Sequence, residues 1–182
     1  MTRSARSAAV LLLGVLLFSA PLHAQGVGLT LGGGLAVPLG TYDEVVKLGW
    51  HGTAGLSFAA GSFPLGFRID GTFAQFSDEI VPEIKTQVMN GTANAVYRFP
   101  SSGTTRFSPY VIGGLGVYNT KASGEGAPEG SATEAGINLG AGFDIRAGGA
   151  GLFVEARWHN MFLEGENLKF LPITLGIRFG GG

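Results

Sequence analysis

Along most of this chain long apolar side chains alternate with small or polar ones, and the last thirty residues show it most sharply. Gly151 to Phe179 reads GLFVEARWHNMF, LEGENL, KFLPITLGIRF. In the final segment Lys169, Leu171, Ile173, Leu175, Ile177 and Phe179 share one face, and Thr174, Gly176 and Arg178 share the other. A period of two is the signature of a β-strand. The preceding segment sets Leu152, Val154, Ala156 and Trp158 against Phe153, Glu155, Arg157 and His159. Its apolar face ends in aromatics while its charges alternate with that face, as lipid-facing strands do.

The same alternation predicts six earlier strands. The first, Gly26–Val37, sets Val27, Leu29, Leu31, Leu35 and Val37 against Gly28, Thr30, Gly32, Gly34 and Ala36. Trp50–Ala59 opposes Ala54, Leu56 and Phe58 to His51, Thr53 and Ser57, and Gly66–Phe76 opposes Phe67, Ile69 and Phe73 to Arg68, Asp70 and Thr72. Thr86–Phe99 opposes Met89, Ala93, Ala95, Tyr97 and Phe99 to Asn90, Thr92, Asn94 and Arg98. Pro109–Asn119 is apolar or glycine on both faces, so its inward side is not readable. Glu134–Arg146 is clear, with Ile137, Leu139, Ala141, Phe143 and Ile145 opposite Asn138, Gly140, Gly142, Asp144 and Arg146. Eight segments of about ten residues, separated by turn residues, predict an all-β chain: an eight-stranded antiparallel up-and-down transmembrane β-barrel.

The connections alternate in kind. Those after the second, fourth and sixth strands (AAGSFPLG, FPSSGTTRFS, AGGAG) are short and carry no acid. The others, TYDEVVKLG, SDEIVPEIK, NTKASGEGAPEGSATE and LEGEN, carry most of the charge. Short turns at one end and polar loops at the other are the topology of an outer-membrane barrel with both termini in the periplasm. Pro172, within the last strand, lacks a ladder donor, and a bulge near the outer rim is the expected accommodation.

Composition narrows the class. Thirty-two glycines in 182 residues rule out a helical domain. The N-terminus, MTRSARSAAVLLLGVLLFSAPLHAQ, has a basic start and an apolar stretch too short to span a bilayer. Residues 1–24 are therefore expected to be a secretory signal peptide and residues 25–182 the barrel domain. Without the leader, ten Lys and Arg stand against thirteen Asp and Glu, a formal −3 that gives no support for nucleic-acid binding. The chain has no cysteine, hence no thiolate chemistry and no disulfide framework. Beyond Gln25 no apolar run reaches 18 residues, so membrane entry would need a closed barrel.

The charges separate by position. Lys47, Lys85, Lys121 and Lys169 lie in or beside the polar loops, as do Asp43, Glu44, Asp78, Glu79, Glu83, Glu125, Glu129, Glu134, Glu164 and Glu166. The inward faces hold Arg68, Asp70, Arg98, Asp144, Arg146, Glu155, Arg157 and Arg178. An eight-stranded barrel is only wide enough for side chains to fill. These eight residues are expected to pair across the lumen as a structural charge network that plugs it, because an unpaired buried charge is costly.

With the leader, eight amphipathic strands and the terminal ITLGIRF, the chain resembles the small outer-membrane β-barrel family, which includes OmpA-type transmembrane domains and opacity-like proteins. SPYVIGGLGVY, EAGINLGAGFDIR and LFVEARWHNMF followed by PITLGIRF carry the likeness to that family's last four strands. The resemblance implies a bacterial outer-membrane location and a monomer in contact with outer-membrane lipid and lipopolysaccharide. It also implies recognition by the barrel assembly machinery through the C-terminal strand. The family holds adhesins, immune-evasion proteins and structural tethers, so it implies an architecture more than an activity.

Candidate chemistry is sparse. Lipid A deacylases of this architecture use a His and a Ser two residues apart on an outward strand surface, oriented by an acid. Here Arg157-Trp158-His159-Asn160-Met161 puts Met where that Ser would stand, so no catalytic residue is assigned. The expected role of His159 is a lumen or rim histidine hydrogen-bonded to a carboxylate. GLGGGLA and GINLGAG are followed by no helix and are not phosphate loops; inner-face glycines are expected to make room for opposing arginines. Asp43-Glu44 and Asp78-Glu79 lack the spacing of a calcium loop, and no cofactor or metal is expected. Trp50, Tyr97, Phe99, Trp158, Phe162, Phe170 and Phe179 form two expected aromatic girdles. The function expected is a non-enzymatic barrel with acidic surface loops serving envelope integrity or surface contact. The alternatives are a lipid A-modifying enzyme of the deacylase kind and a soluble lipocalin-like binder.

Overall fold

The computed structural model describes residues 26–59, 64–81, 83–100, 107–127, 130–147, 150–163 and 167–180, without the side chains of Arg146 and Ala147. The expected signal peptide, residues 1–24, lies outside the described residues. Eight strands follow in order: β1 Val27–Leu39, β2 Gly49–Ala59, β3 Leu65–Ser77, β4 Lys85–Arg98, β5 Phe107–Ser123, β6 Ser131–Ala147, β7 Ala150–Met161 and β8 Leu168–Gly180. Each pairs antiparallel with the next, and β8 closes on β1.

The pairing also sets the barrel's dimensions. Stepping between partners leads from Gly28 to Ser57, Arg68, Asn94, Gly114, Asn138, His159 and Phe170, then back to Pro38, ten residues further along β1. With ordinary strand rise and spacing, a stagger of ten over eight strands gives a tilt of about 40° and a radius of about 8 Å. That radius holds side chains and little else.

Outward positions are apolar and exposed: Phe67, Ile69, Leu115, Leu139 and Leu175 are each more than half accessible. Inward positions include buried Arg68, Asp70, Asn94, Asn138, Glu155 and Arg157. A soluble lipocalin-like binder would have the opposite distribution, so that alternative is excluded. No described helix is long and apolar enough to cross a membrane. The crossing elements are strands, and closure leaves no strand edge unpaired in lipid.

Four expectations change in detail. β5 and β6 run further outward than their alternation indicated, because Lys121↔Ser131 and Thr120↔Ala132 continue the ladder. Backbone pairing above the bilayer does not require an apolar face, so the pattern is silent there. Their middle is decided as well: Tyr110, Ile112 and Tyr118 point inward, and Val111, Leu115 and Val117 outward.

Pro172 sits in no bulge. The β1 ladder runs without interruption through Ala36↔Pro172. The β7 ladder keeps one register but skips the pairs facing Pro172 and Leu171, resuming at His159↔Phe170. An inserted residue would have shifted that register; the barrel tolerates two missing pairs instead. Phe170 is no girdle residue. Trp50, Tyr97, Phe99, Phe162 and Phe179 are exposed, whereas Phe170 has the parity of Pro172 and Thr174 and is fully buried inside. Finally, more of the described inner glycines stand against rings than against arginines, which Gly66 and Gly140 meet. A Cβ at Gly142 would stand 2.6 Å from Tyr110, and one at Gly136 would stand 2.8 Å from Tyr118.

Candidate functional site

The lumen is layered. At mid-height β3 contributes Arg68 and Asp70, β7 contributes Glu155 and Arg157, and each pair is two residues apart on one inward face. Arg68 Nε donates to Asp70 Oδ2 at 2.9 Å, and its Nη2 spans both Glu155 oxygens at 2.8 and 2.7 Å. Arg157 Nη1 reaches back to Asp70 Oδ2 at 3.0 Å, while its Nε donates to Glu155 Oε1 at 2.9 Å and its Nη2 contacts the same oxygen. The four formal charges cancel. Tyr110 OH donates to Glu155 Oε2 at 2.8 Å, and Asn94 Nδ2 donates to Asp70 Oδ2 at 2.9 Å. Asn138 extends the chain to Asn94 Oδ1 at 2.8 Å. Each carboxylate thus receives several charge-assisted hydrogen bonds, the condition under which a buried ion pair is tolerable.

Nearer the periplasm lies a second group. Asp144 on β6 contacts Arg178 on β8 and stands 3.5 Å from Arg98 Nε on β4. The Arg178 guanidinium carbon is 5.5 Å from the Tyr110 ring centre and 5.2 Å from that of Phe153, within cation–π range. Of the eight inward charges read from the sequence, seven thus fall into a quartet and a trio. The eighth, Arg146, has a side chain outside the described residues.

The charge-filled interior expected from the sequence thus occupies the middle and the periplasmic end, and the outer end is apolar. Ala36, Val46, Ala74, Phe76, Val88, Tyr118, Met161 and Phe170 form a buried apolar cluster. The β1–β2 loop adds Tyr42, from the short 3-10 helix Gly40–Glu44. Tyr42 packs edge-on against Phe76 with centroids 5.3 Å apart, and Phe76 packs edge-on against Phe170 at 5.8 Å. Burial pushes the Tyr42 hydroxyl well above its ordinary range. The lid is fastened at its rim, where Lys47 N donates to Ser77 O at 2.8 Å and Glu79 N to Val45 O at 3.0 Å. A loop that buries one aromatic and one aliphatic side chain in the mouth closes it by the hydrophobic effect.

Between cap and quartet stand the two histidines of the barrel. His159 Nδ1 and Tyr118 OH are hydrogen-bonded at 2.8 Å, and the imidazole stacks on Phe170 with centroids 4.9 Å apart. His51 Nε2 and Thr174 Oγ1 are hydrogen-bonded at 2.9 Å. The expected carboxylate partner of His159 is therefore replaced by a phenol, because Glu155 is already held by two arginines. His159 faces the lumen, as does Met161, so neither meets lipid. A small void beside them, lined by His51, Glu155, Arg157, His159 and Thr174, has room for about one water molecule.

Of the two acidic loop pairs, Asp78-Glu79 has partners. Asp78 Oδ1 accepts the backbone N–H groups of Ile80 and Val81, both at 2.9 Å. These bonds hold its carboxyl below the usual range. Glu79 stands 3.9 Å from Lys47. Among the described residues no cluster of three or more His, Cys, Asp or Glu could hold a metal ion. Glu129, Glu164, Glu166 and Arg106 lie outside the described residues.

Sequence reasoning set Phe153 on the inward face but missed Tyr110, Tyr118, Tyr42, Phe76 and Phe170 as interior residues. Parity would have found two of them: Phe76 continues the inward series Arg68, Asp70, Thr72, and Phe170 the series Arg178, Gly176, Thr174.

The sequence model of the outer membrane protein beta-barrel domain family matches residues 9–179. The chain belongs to that family. It is an integral protein of the bacterial outer membrane. Three solved structures of similar fold illustrate the range. Neisserial surface protein A matches with a TM-score of 0.66 and 14% identity, over 85% of this chain and 97% of that one. The outer membrane protein OprG from Pseudomonas aeruginosa matches with a TM-score of 0.52 and 14% identity, over 87% and 98%. The outer membrane enzyme PagL matches with a TM-score of 0.52 and 17% identity, over 84% and 99%. At these identities the likeness is one of fold. No curated protein matches this chain.

Proposed function

We propose that this protein is a non-enzymatic, monomeric outer-membrane barrel whose lumen is sealed and whose acidic outer loops serve envelope integrity or surface contact. The observation that carries the reading is the use of the interior. Arg68, Asp70, Glu155 and Arg157 pair with one another at mid-height, and Tyr42, Phe76 and Phe170 pack above them in the mouth. A charged side chain committed to two partners is poorly placed to bind a substrate. The loop charges, by contrast, lie at the outer rim, where exposed lysines such as Lys85 and Lys121 would meet lipopolysaccharide phosphates and the exposed acids other surfaces. The C-terminal strand would be read by the barrel assembly machinery before it closes on β1.

The competing reading is a lipid A-modifying enzyme, and the fold likeness to an outer membrane enzyme gives it standing. Against it, His159 points into the barrel and is held by Tyr118 and Phe170, and Met161 occupies the place of a nucleophile. Mass spectrometry of lipid A from outer membranes with and without the protein tests this directly. Identical lipid A is the expected result; a lost or added acyl chain would overturn the non-enzymatic reading.

A further inference from the structure

Among the described residues at the periplasmic end of the lumen, two cations, Arg98 and Arg178, face one acid, Asp144. Asp144 is shared between Arg98 and Arg178, so two guanidinium groups draw on one carboxylate. Arg98 also lies within electrostatic reach of Arg68, deeper in the barrel. Arg178 is held between the Tyr110 and Phe153 rings, which are faces without lone-pair acceptors. Its Nε and Nη2 are buried and find no hydrogen-bond partner among the described residues. Buried donors without acceptors are rare in folded proteins because each forfeits its hydration.

The group grades from part-exposed to buried. Side-chain exposure falls from 28% at Arg98 through 14% at Asp144 to 7% at Arg178, a gradient from the mouth inward. A guanidinium fork presents parallel N–H donors that fit an oxyanion bidentately. We propose that this vestibule is an anion-binding site, in which Arg178 and Arg98 hold a small oxyanion such as inorganic phosphate or a carboxylate entering from the periplasm. Arg178 supplies the oriented donors from below. Arg98 supplies charge at the entrance, and Asp144 competes with the ligand for both. The site lies at the end of the lumen opposite the outer cap, so it is separate from the sealed mouth.

The test is calorimetric titration of the purified, folded barrel in detergent with sodium phosphate, and separately with sodium acetate, at fixed ionic strength. The wild type is expected to bind one anion per barrel. Asp144→Asn removes the competitor and should tighten binding about tenfold, and Arg98→Gln should weaken it about tenfold. Lys47→Gln, at the outer rim, should leave it unchanged. Arg98 and Asp144 are partly exposed, so these variants are chosen over Arg178 replacements; heat-modifiable gel migration confirms that each is folded. Saturation by phosphate but not acetate assigns the ligand to the phosphate class, and the converse to carboxylates. Absence of saturable binding in both the wild type and Asp144→Asn would overturn the proposal. So would equal effects of Arg98→Gln and Lys47→Gln.

Discussion

Arg68 on β3 and Glu155 on β7 meet across the barrel, one guanidinium nitrogen spanning both carboxylate oxygens at 2.8 and 2.7 Å. The two strands are not neighbours in the sheet, so this contact ties opposite walls together without any backbone hydrogen bond. Removing one partner is therefore worse than removing both. Glu155→Ala leaves Arg68 and Arg157 sharing Asp70 in a water-poor interior and should cost about 3–5 kcal/mol. The Glu155→Leu, Arg68→Met double replacement should cost less than Glu155→Ala alone. Urea unfolding in lipid vesicles measures both, and a single variant no less stable than the double would refute the pairing argument.

The outer cap carries a separate prediction. Phe170 is fully buried, stacks on His159 and meets Phe76 edge-on. Phe170→Ala leaves a hole among residues fixed to the barrel wall, which cannot collapse to fill it. The expected loss is about 3–5 kcal/mol by the same unfolding assay. Phe179, also on β8 but lipid-facing, should tolerate Leu with little change. Equal losses at the two positions would mean that the cap is not a packed unit.

How much of this was legible in the sequence depends on which face a residue occupied. Outward residues such as Ile69, Leu139 and Leu175 were readable because lipid demands one kind of side chain at every second position. Inward charges were readable for the complementary reason: Asp70 or Glu155 has no place in hydrocarbon. The apolar cap was not, since an apolar residue is acceptable on either face and only counting parity from Thr72 or Thr174 assigns Phe76 and Phe170 inward. Tyr110 and Tyr118 lay in a strand apolar on both faces, and only their cross-strand partners Arg98 and Asn90 fix their side. Tyr42 belongs to a loop, where no periodicity exists to read. Which arginine takes which carboxylate follows from the ten-residue stagger, a property of the closed barrel and not of any one strand.

The loop between β3 and β4 should respond to acid. Asp78 is exposed and anchors the turn by accepting two backbone N–H groups, so its folded pKa lies below the ordinary value near ~3.9. A depressed carboxylate contributes ordering that is fully present above the ordinary value and is lost as pH falls through the lower, folded one. Amide exchange at Ile80 and Val81, relative to exchange at Val88 in the barrel wall, should accelerate selectively at low pH. Asp78→Asn should produce part of that acceleration at neutral pH. An unchanged exchange ratio in both experiments would remove Asp78 from this role.

The central claim is that the lumen is closed, by paired charges at mid-height and by an apolar cap at the mouth. The most direct measurement is the conductance of the purified protein in a planar bilayer. Quiet membranes after verified insertion, with no stepwise currents of the size porins give, are the predicted result. Steady porin-sized steps from the wild-type protein would mean that the charge quartet and the Tyr42–Phe170 cap do not seal the barrel, and would contradict the account.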